Sequence, residues 1–133
     1  MKRTKNVRKK LIAALDKVFS LYIRRKTQLS VGGCFFCYYG KGKIAPIDHA
    51  FHFIRRGHHV TRWLEVNVVG SCRGCNYDMN IRPERYWQIF RLKFGAETED
   101  ALIAQSRQIA KFSREDLKIM IADFTVKLEA FNA

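Results

Sequence analysis

Cys34-Phe35-Phe36-Cys37, then Asp48-His49-Ala50-Phe51-His52-Phe53, then Cys72-Arg73-Gly74-Cys75-Asn76 form the stretch that organises the rest of the chain. Both ends are C-x2-C pairs, and each such turn aims two thiolates at one point. The 34 residues between Cys37 and Cys72 leave room for both pairs to close on one ion. Zinc takes four soft ligands in a tetrahedron, so these residue types at this spacing predict a structural zinc held by Cys34, Cys37, Cys72 and Cys75. A disulfide pair and an iron–sulfur centre are the competing readings. Four thiolates leave the ion no open position, so any chemistry has to come from other side chains.

Upstream of this stretch, Val7, Leu11, Leu15, Val18, Phe19, Tyr22 and Ile23 recur at helical spacing and predict an amphipathic helix from about Asn6 to Gln28, behind a basic arm over residues 1–10. Ser30-Val31-Gly32-Gly33 ends it. Inside the stretch, residues 38–43 read as a turn, 44–53 as a strand, 55–61 as a loop and 62–69 as a second extended segment. Downstream, a short helix is expected from Asn76 to about Asn80. Pro83 suits the first turn of another helix, which Gly95 ends. Thr98 is a candidate cap for the next helix. Ser113-Arg114-Glu115-Asp116 resembles a capping box ahead of Leu117, Met120, Phe124, Leu128 and Phe131. The aromatic residues on these helices read as core, and so does Trp63.

The chain has 133 residues, which fits one domain: an amino-terminal arm and helix (1–30), a cysteine-clamped centre (31–82) and carboxy-terminal helices (83–133). It carries 25 Lys+Arg against 12 Asp+Glu, a net charge of +13. Residues 1–26 contribute +9, residues 27–95 contribute +6 and residues 96–133 contribute −2. Such a balance attracts polyanions, nucleic acid first among them, although a merely soluble basic surface would look the same. No apolar run reaches the ~20 residues of a membrane span, and the basic start lacks a signal-peptide core. A cytoplasmic protein with no membrane partner is therefore expected. In such a reducing compartment, paired cysteines favour metal over disulfides.

Asp48, His49 and His52 share one extended segment, in which alternate residues face the same side. Asp48 and His52 should then share a face, while His49 points elsewhere unless the backbone bulges. Together with the flanking motifs, these residues resemble the HNH, or ββα-metal, nucleases, in particular the NinG/Rap-type phage recombination proteins. The likeness runs over most of the chain. Leu15-Asp16-Lys17-Val18-Phe19-Ser20-Leu21-Tyr22-Ile23-Arg24 is similar to that family's leading helix, and His52-Phe53-Ile54-Arg55 to its Gly-His-Phe segment. Thr61-Arg62-Trp63, Asn67 and Cys72-Arg73-Gly74-Cys75-Asn76 follow in the family's order.

The resemblance implies an α+β fold: a small zinc-clamped ββα-metal core with a long amino-terminal helix and carboxy-terminal helices. It makes His52 the general base, Asn67 the middle residue of the HNH name, orienting a loop by hydrogen bonds, and Asn76 a ligand of a catalytic Mg²⁺ or Mn²⁺. The second ligand is left open between Asp48 and His49, and Asp48-His49 could instead be an Asp-His catalytic pair. Phe51 departs from the family, which commonly has Gly before its catalytic histidine. Arg24, Arg25, Arg55, Arg56, Arg62 and Arg73 are the candidate DNA contacts; His58 and His59 read as an exposed loop. The implied activity is metal-dependent cleavage of DNA, with branched recombination intermediates such as Holliday junctions or D-loops as substrates. Such a phage-encoded enzyme would act in the cytoplasm of the bacterial host. A homodimer would bring two sites to one junction, with the amphipathic first and last helices as its interface. The rival readings are a non-catalytic zinc-bearing DNA-binding module, a less selective HNH nicking enzyme and a protein-only adaptor.

Overall fold

In the computed structural model, residues 2–132 are described, with side chains from Lys5 onward. The molecule is mixed α+β and mostly helical. The chain runs α1 (Lys2–Val31), α2 (Phe35–Lys41), β1 (His49–His52), α3 (His59–Arg62), a 3-10 turn (Glu65–Asn67), β2 (Val68–Ser71), α4 (Arg73–Asp78), α5 (Pro83–Phe94), α6 (Ala96–Ser106) and α7 (Arg114–Asn132). No helix is long and apolar enough to cross a membrane.

The amphipathic stripe on α1 is present from Leu11 to Ile23, Val7 expected on it is exposed, and the helix itself extends in both directions beyond 6–28. The arm expected at 1–10 is helical from Lys2, although the side chains of Lys2 and Arg3 lie outside the described residues. Leu15, Phe19, Tyr22 and Ile23 on α1 are buried with Leu117 and Phe124 on α7, and Met120, Leu128 and Phe131 pack against them. Tyr22 stacks on Phe131 with centroids 5.3 Å apart. The apolar faces of the first and last helices therefore bury each other, so the dimer interface expected from them is instead an internal contact.

The sheet has two antiparallel strands, with His49 opposite Ser71 and His52 opposite Val68. Its two faces separate two cores, as strand alternation requires. Phe51 and Val69 face a core with Phe36, Tyr86 and Phe90. Val68 and Ala50 face the α1–α7 core. α1 crosses β2 at Gly70, whose backbone N–H donates to Thr27 Oγ1 at 2.9 Å. A Cβ at Gly70 would stand 3.0 Å from both Thr27 and Ile47, so the helix can lie this close only over a glycine.

Several local expectations change. The turn expected at 38–43 is mostly the last part of α2, ended by Gly42 in the left-handed region. The strand expected at 44–53 shortens to four residues, and of the extended segment expected at 62–69 only Val68 and Val69 are strand, behind the last residue of α3 and a 3-10 turn. The helix after the second cysteine pair starts inside it, at Arg73. Gly95, not Thr98, precedes α6. The capping box forms as read: Ser113 N–H donates to Asp116 Oδ2 at 2.9 Å, and Asp116 N–H donates to Ser113 Oγ at 3.0 Å.

Candidate functional site

Each cysteine pair sits where a loop enters a short helix, α2 for the first and α4 for the second. The ligand sulfurs of Cys34, Cys37, Cys72 and Cys75 all lie within 4.8 Å of one another. Cys37 Sγ is 3.8 Å from both Cys72 Sγ and Cys75 Sγ. A tetrahedron with Zn–S bonds of about 2.3 Å has S···S edges of about 3.8 Å, whereas a disulfide needs about 2.05 Å. All four are free thiols. The four residues thus fit a structural metal such as zinc. Burial, then the neighbouring thiols, pushes Cys37 up to about 11 and Cys75 also upward. A bound cation would reverse that, since a coordinating thiol is deprotonated. Among the described residues no other group of three or more His, Cys, Asp or Glu side chains lies close enough to share an ion.

Beside this clamp an open cavity of about 670 Å³ gathers side chains from four parts of the chain. Asp48, His49 and His52 come from β1 and the residue before it, and Asn76 comes from α4. Arg55 and Arg56 come from the loop after β1, and Asp16, Lys17 and Arg24 come from α1. His49 and His52, assigned to opposite faces by strand alternation, both line it. Phe51 does not obstruct it, because its ring points into the opposite core, 4.7 Å from Phe36 and 5.2 Å from Phe53.

His52 is held by a bond between Nε2 and the Arg62 carbonyl, 3.0 Å long. A carbonyl only accepts, so Nε2 carries the proton and Nδ1 holds the basic lone pair. Burial pushes His52 below its ordinary value against the opposing effect of that carbonyl, and the Arg56 charge adds to the depression. This favours the neutral form of the ring. Asp48 Oδ2 accepts from Arg73 N–H at 3.0 Å, which ties the strand to the first turn of α4.

Two expected DNA contacts, Arg62 and Arg25, change, while Asn67 keeps its implied role. Asn67 makes no contact with the cavity. It is 0% exposed; its Oδ1 accepts from Ile54 N–H, and its Nδ2 donates to the Ile54 and Thr61 carbonyls. Asn67 thus makes the loop-orienting hydrogen bonds that the resemblance implies for it, and it is not a group that touches the cavity. Arg62, expected on DNA, is 14% exposed at its side chain and forks onto Asp16, with Nε on Oδ1 at 3.0 Å and Nη2 on Oδ2. Arg25 lies away from the cavity, in a shallow groove with Leu21 and Leu128. Arg73 is exposed but contacts Asp48 only through its backbone. His58, just before α3, bonds to the Ser106 carbonyl at the end of α6, and His59 packs on Trp63 one turn further along, at the end of the same short helix.

Sequence reading gave Asp16 no role at the site. It also accepts from Trp63 Nε1 at 2.9 Å and from Arg56 Nη2 at 2.6 Å. Burial acts to raise its pKa, but these bonds and the two guanidinium charges outweigh burial and hold it below the ordinary carboxylate value. The only signal in the sequence was a single acid within a strongly basic helix. Family models, curated proteins and solved structures give no match to this chain.

Proposed function

We propose that the chain is a metal-dependent DNA endonuclease of the HNH, or ββα-metal, type, acting on branched recombination intermediates. One observation carries the reading. The second of the two antiparallel strands runs directly into α4, and His52, Asp48, His49 and Asn76 meet on one open cavity edged by Lys17, Arg24, Arg55 and Arg56. Neutral imidazole suits a general base, and clustered cations suit a phosphate backbone. The zinc clamp would be structural, joining the two ends of the site.

In this reading His52 Nδ1 takes a proton from water, while the Arg62 carbonyl holds the ring in its Nε2–H form. Asp48, His49 and Asn76 offer a carboxylate, an imidazole and an amide for one Mg²⁺ or Mn²⁺, a set that leaves several positions to water and phosphate. When bound, such an ion would stabilise charge on the scissile phosphate and its leaving oxygen. Arg24 and Arg55 bind flanking phosphates. Symmetric cutting of a junction requires two such sites, hence a homodimer.

The second reading is a zinc-bearing DNA-binding module without catalysis. It draws support from the clamp being, among the described residues, the only group of three or more His, Cys, Asp or Glu side chains close enough to share an ion. Incubation with Mn²⁺ and a labelled four-way junction separates the two. Cleavage by wild type, lost in His52→Ala while binding persists, supports the enzyme. Salt-sensitive binding with no cleavage under any divalent ion supports the module.

A further inference from the structure

α4 stands between two clefts. Its Asn76 lines the His52 cavity, while Gly74 and Asp78 line, with Lys41, Arg82 and Arg85, a second cleft over the metal clamp, whose Cys37, Cys72 and Cys75 form part of its wall. At about 100° of helix per residue, Arg73 and Tyr77 fall on the outer arc between Asn76 on one side and Gly74 and Asp78 on the other. Tyr77 is 67% exposed, and Ile81, in the turn after the helix, is 60% exposed. Among the described residues the Tyr77 ring pairs with no other aromatic and its hydroxyl makes no hydrogen bond. The turn behind it is firm: Asp78 Oδ2 accepts from Tyr86 Oη–H at 2.7 Å, and the Asp78 carbonyl accepts from the backbone N–H groups of Ile81 and Arg82.

An exposed aromatic and an exposed aliphatic side chain thus crown a rigid ridge with cations on both flanks. Continuous duplex offers no base face to such a ridge, because its bases are stacked on each other. A branch point does, and its diverging arms carry phosphates into both clefts. Resting on the nuclease reading above, we propose that Tyr77, supported by Ile81, stacks on an unstacked base at a DNA branch point, with one arm in the His52 cavity and another along Lys41, Arg82 and Arg85. This ridge would make the enzyme selective for branched DNA; the cavity alone would accept any duplex. A side chain that inserts at a helical discontinuity gains stacking there and nowhere else.

The test measures cleavage of a four-way junction and a matched linear duplex by wild type, Tyr77→Ala and Tyr77→Phe. It also follows 2-aminopurine fluorescence at the branch point, using His52→Ala protein with and without the Tyr77 change. Expected is a loss of about 10-fold in junction over duplex preference for Tyr77→Ala. Duplex cleavage should hold, Tyr77→Phe should restore the preference, and the fluorescence change should depend on the ring. Equal junction preference in wild type and Tyr77→Ala overturns the ridge while leaving the nuclease intact. Wild type that neither binds nor cuts branched DNA overturns both readings. Tyr77→Ala lowering junction and duplex cleavage alike, with melting unchanged, assigns Tyr77 to general binding and also overturns the ridge.

Discussion

At the scale of single residues, Asp16 links the long helix to the site. Its carboxylate holds the guanidinium of Arg62, and the carbonyl of the same Arg62 holds His52. Asp16→Asn removes the charge, leaving two guanidinium groups without their counter-ion. The expected loss is about 2 kcal/mol of stability, the scale of a charged hydrogen bond in a sheltered place, read from the urea midpoint. Glu65 is a second such carboxylate. Burial alone would raise it, but the Tyr22 hydroxyl, Lys26 and Lys127 bring it down to about 2. A depressed carboxylate contributes stability above its unfolded value, and that contribution is lost as pH falls through the folded one. Urea midpoints should therefore fall between about pH 4.5 and 2, and Glu65→Gln should flatten that decline.

At the scale of elements, the two short helices that carry the cysteines depend on tight backbone. Gly33 leads into the first pair, and a Cβ there would stand 2.4 Å from the Ala45 carbonyl oxygen. That oxygen accepts from Cys34 N–H at 2.7 Å, so it cannot retreat without opening the cysteine turn. Gly33→Ala should destabilise by about 1–3 kcal/mol, an overpacking cost, and should weaken zinc retention in a chelator competition. The capping box at the start of α7 is a separate device. Ser113→Ala should cost about 1 kcal/mol in thermal or urea unfolding and leave zinc content untouched. A change in metal content there would mean that α7 and the clamp are coupled.

At the scale of the whole molecule, the clamp joins α2 to α4, which also share the core around Phe36, Phe51 and Tyr86. The first cysteine pair packs with α5 through Phe36 and Tyr86, 4.8 Å apart, while the second pair leads into α4. Purified protein should carry one zinc per chain. Chelation should loosen α2 and α4 first, seen as faster amide exchange there, while the α1–α7 pair persists. A chain that keeps full protection after metal removal would show the clamp to be dispensable. Double Cys72→Ser, Cys75→Ser substitution should reproduce the chelated state.

Sequence alone determined the features set by near neighbours and residue type. The stripe on α1 follows from spacing, the cysteine clamp from two short motifs, and the Ser113–Asp116 box from side chains three residues apart. Tertiary structure decided what depends on distant partners. Arg62 is equally suited to a phosphate or a carboxylate, and only folding brought Asp16 within reach across 46 positions. His49 and His52 lie on opposite faces of an ideal strand, yet the shortness of β1 lets both line one cavity. The apolar stripes of the first and last helices are alike in sequence whether they meet each other or a second molecule; chain geometry chose the former. The physical reason is the same each time: local periodicity encodes which face is apolar or charged, while the identity of what covers it is a property of the folded whole.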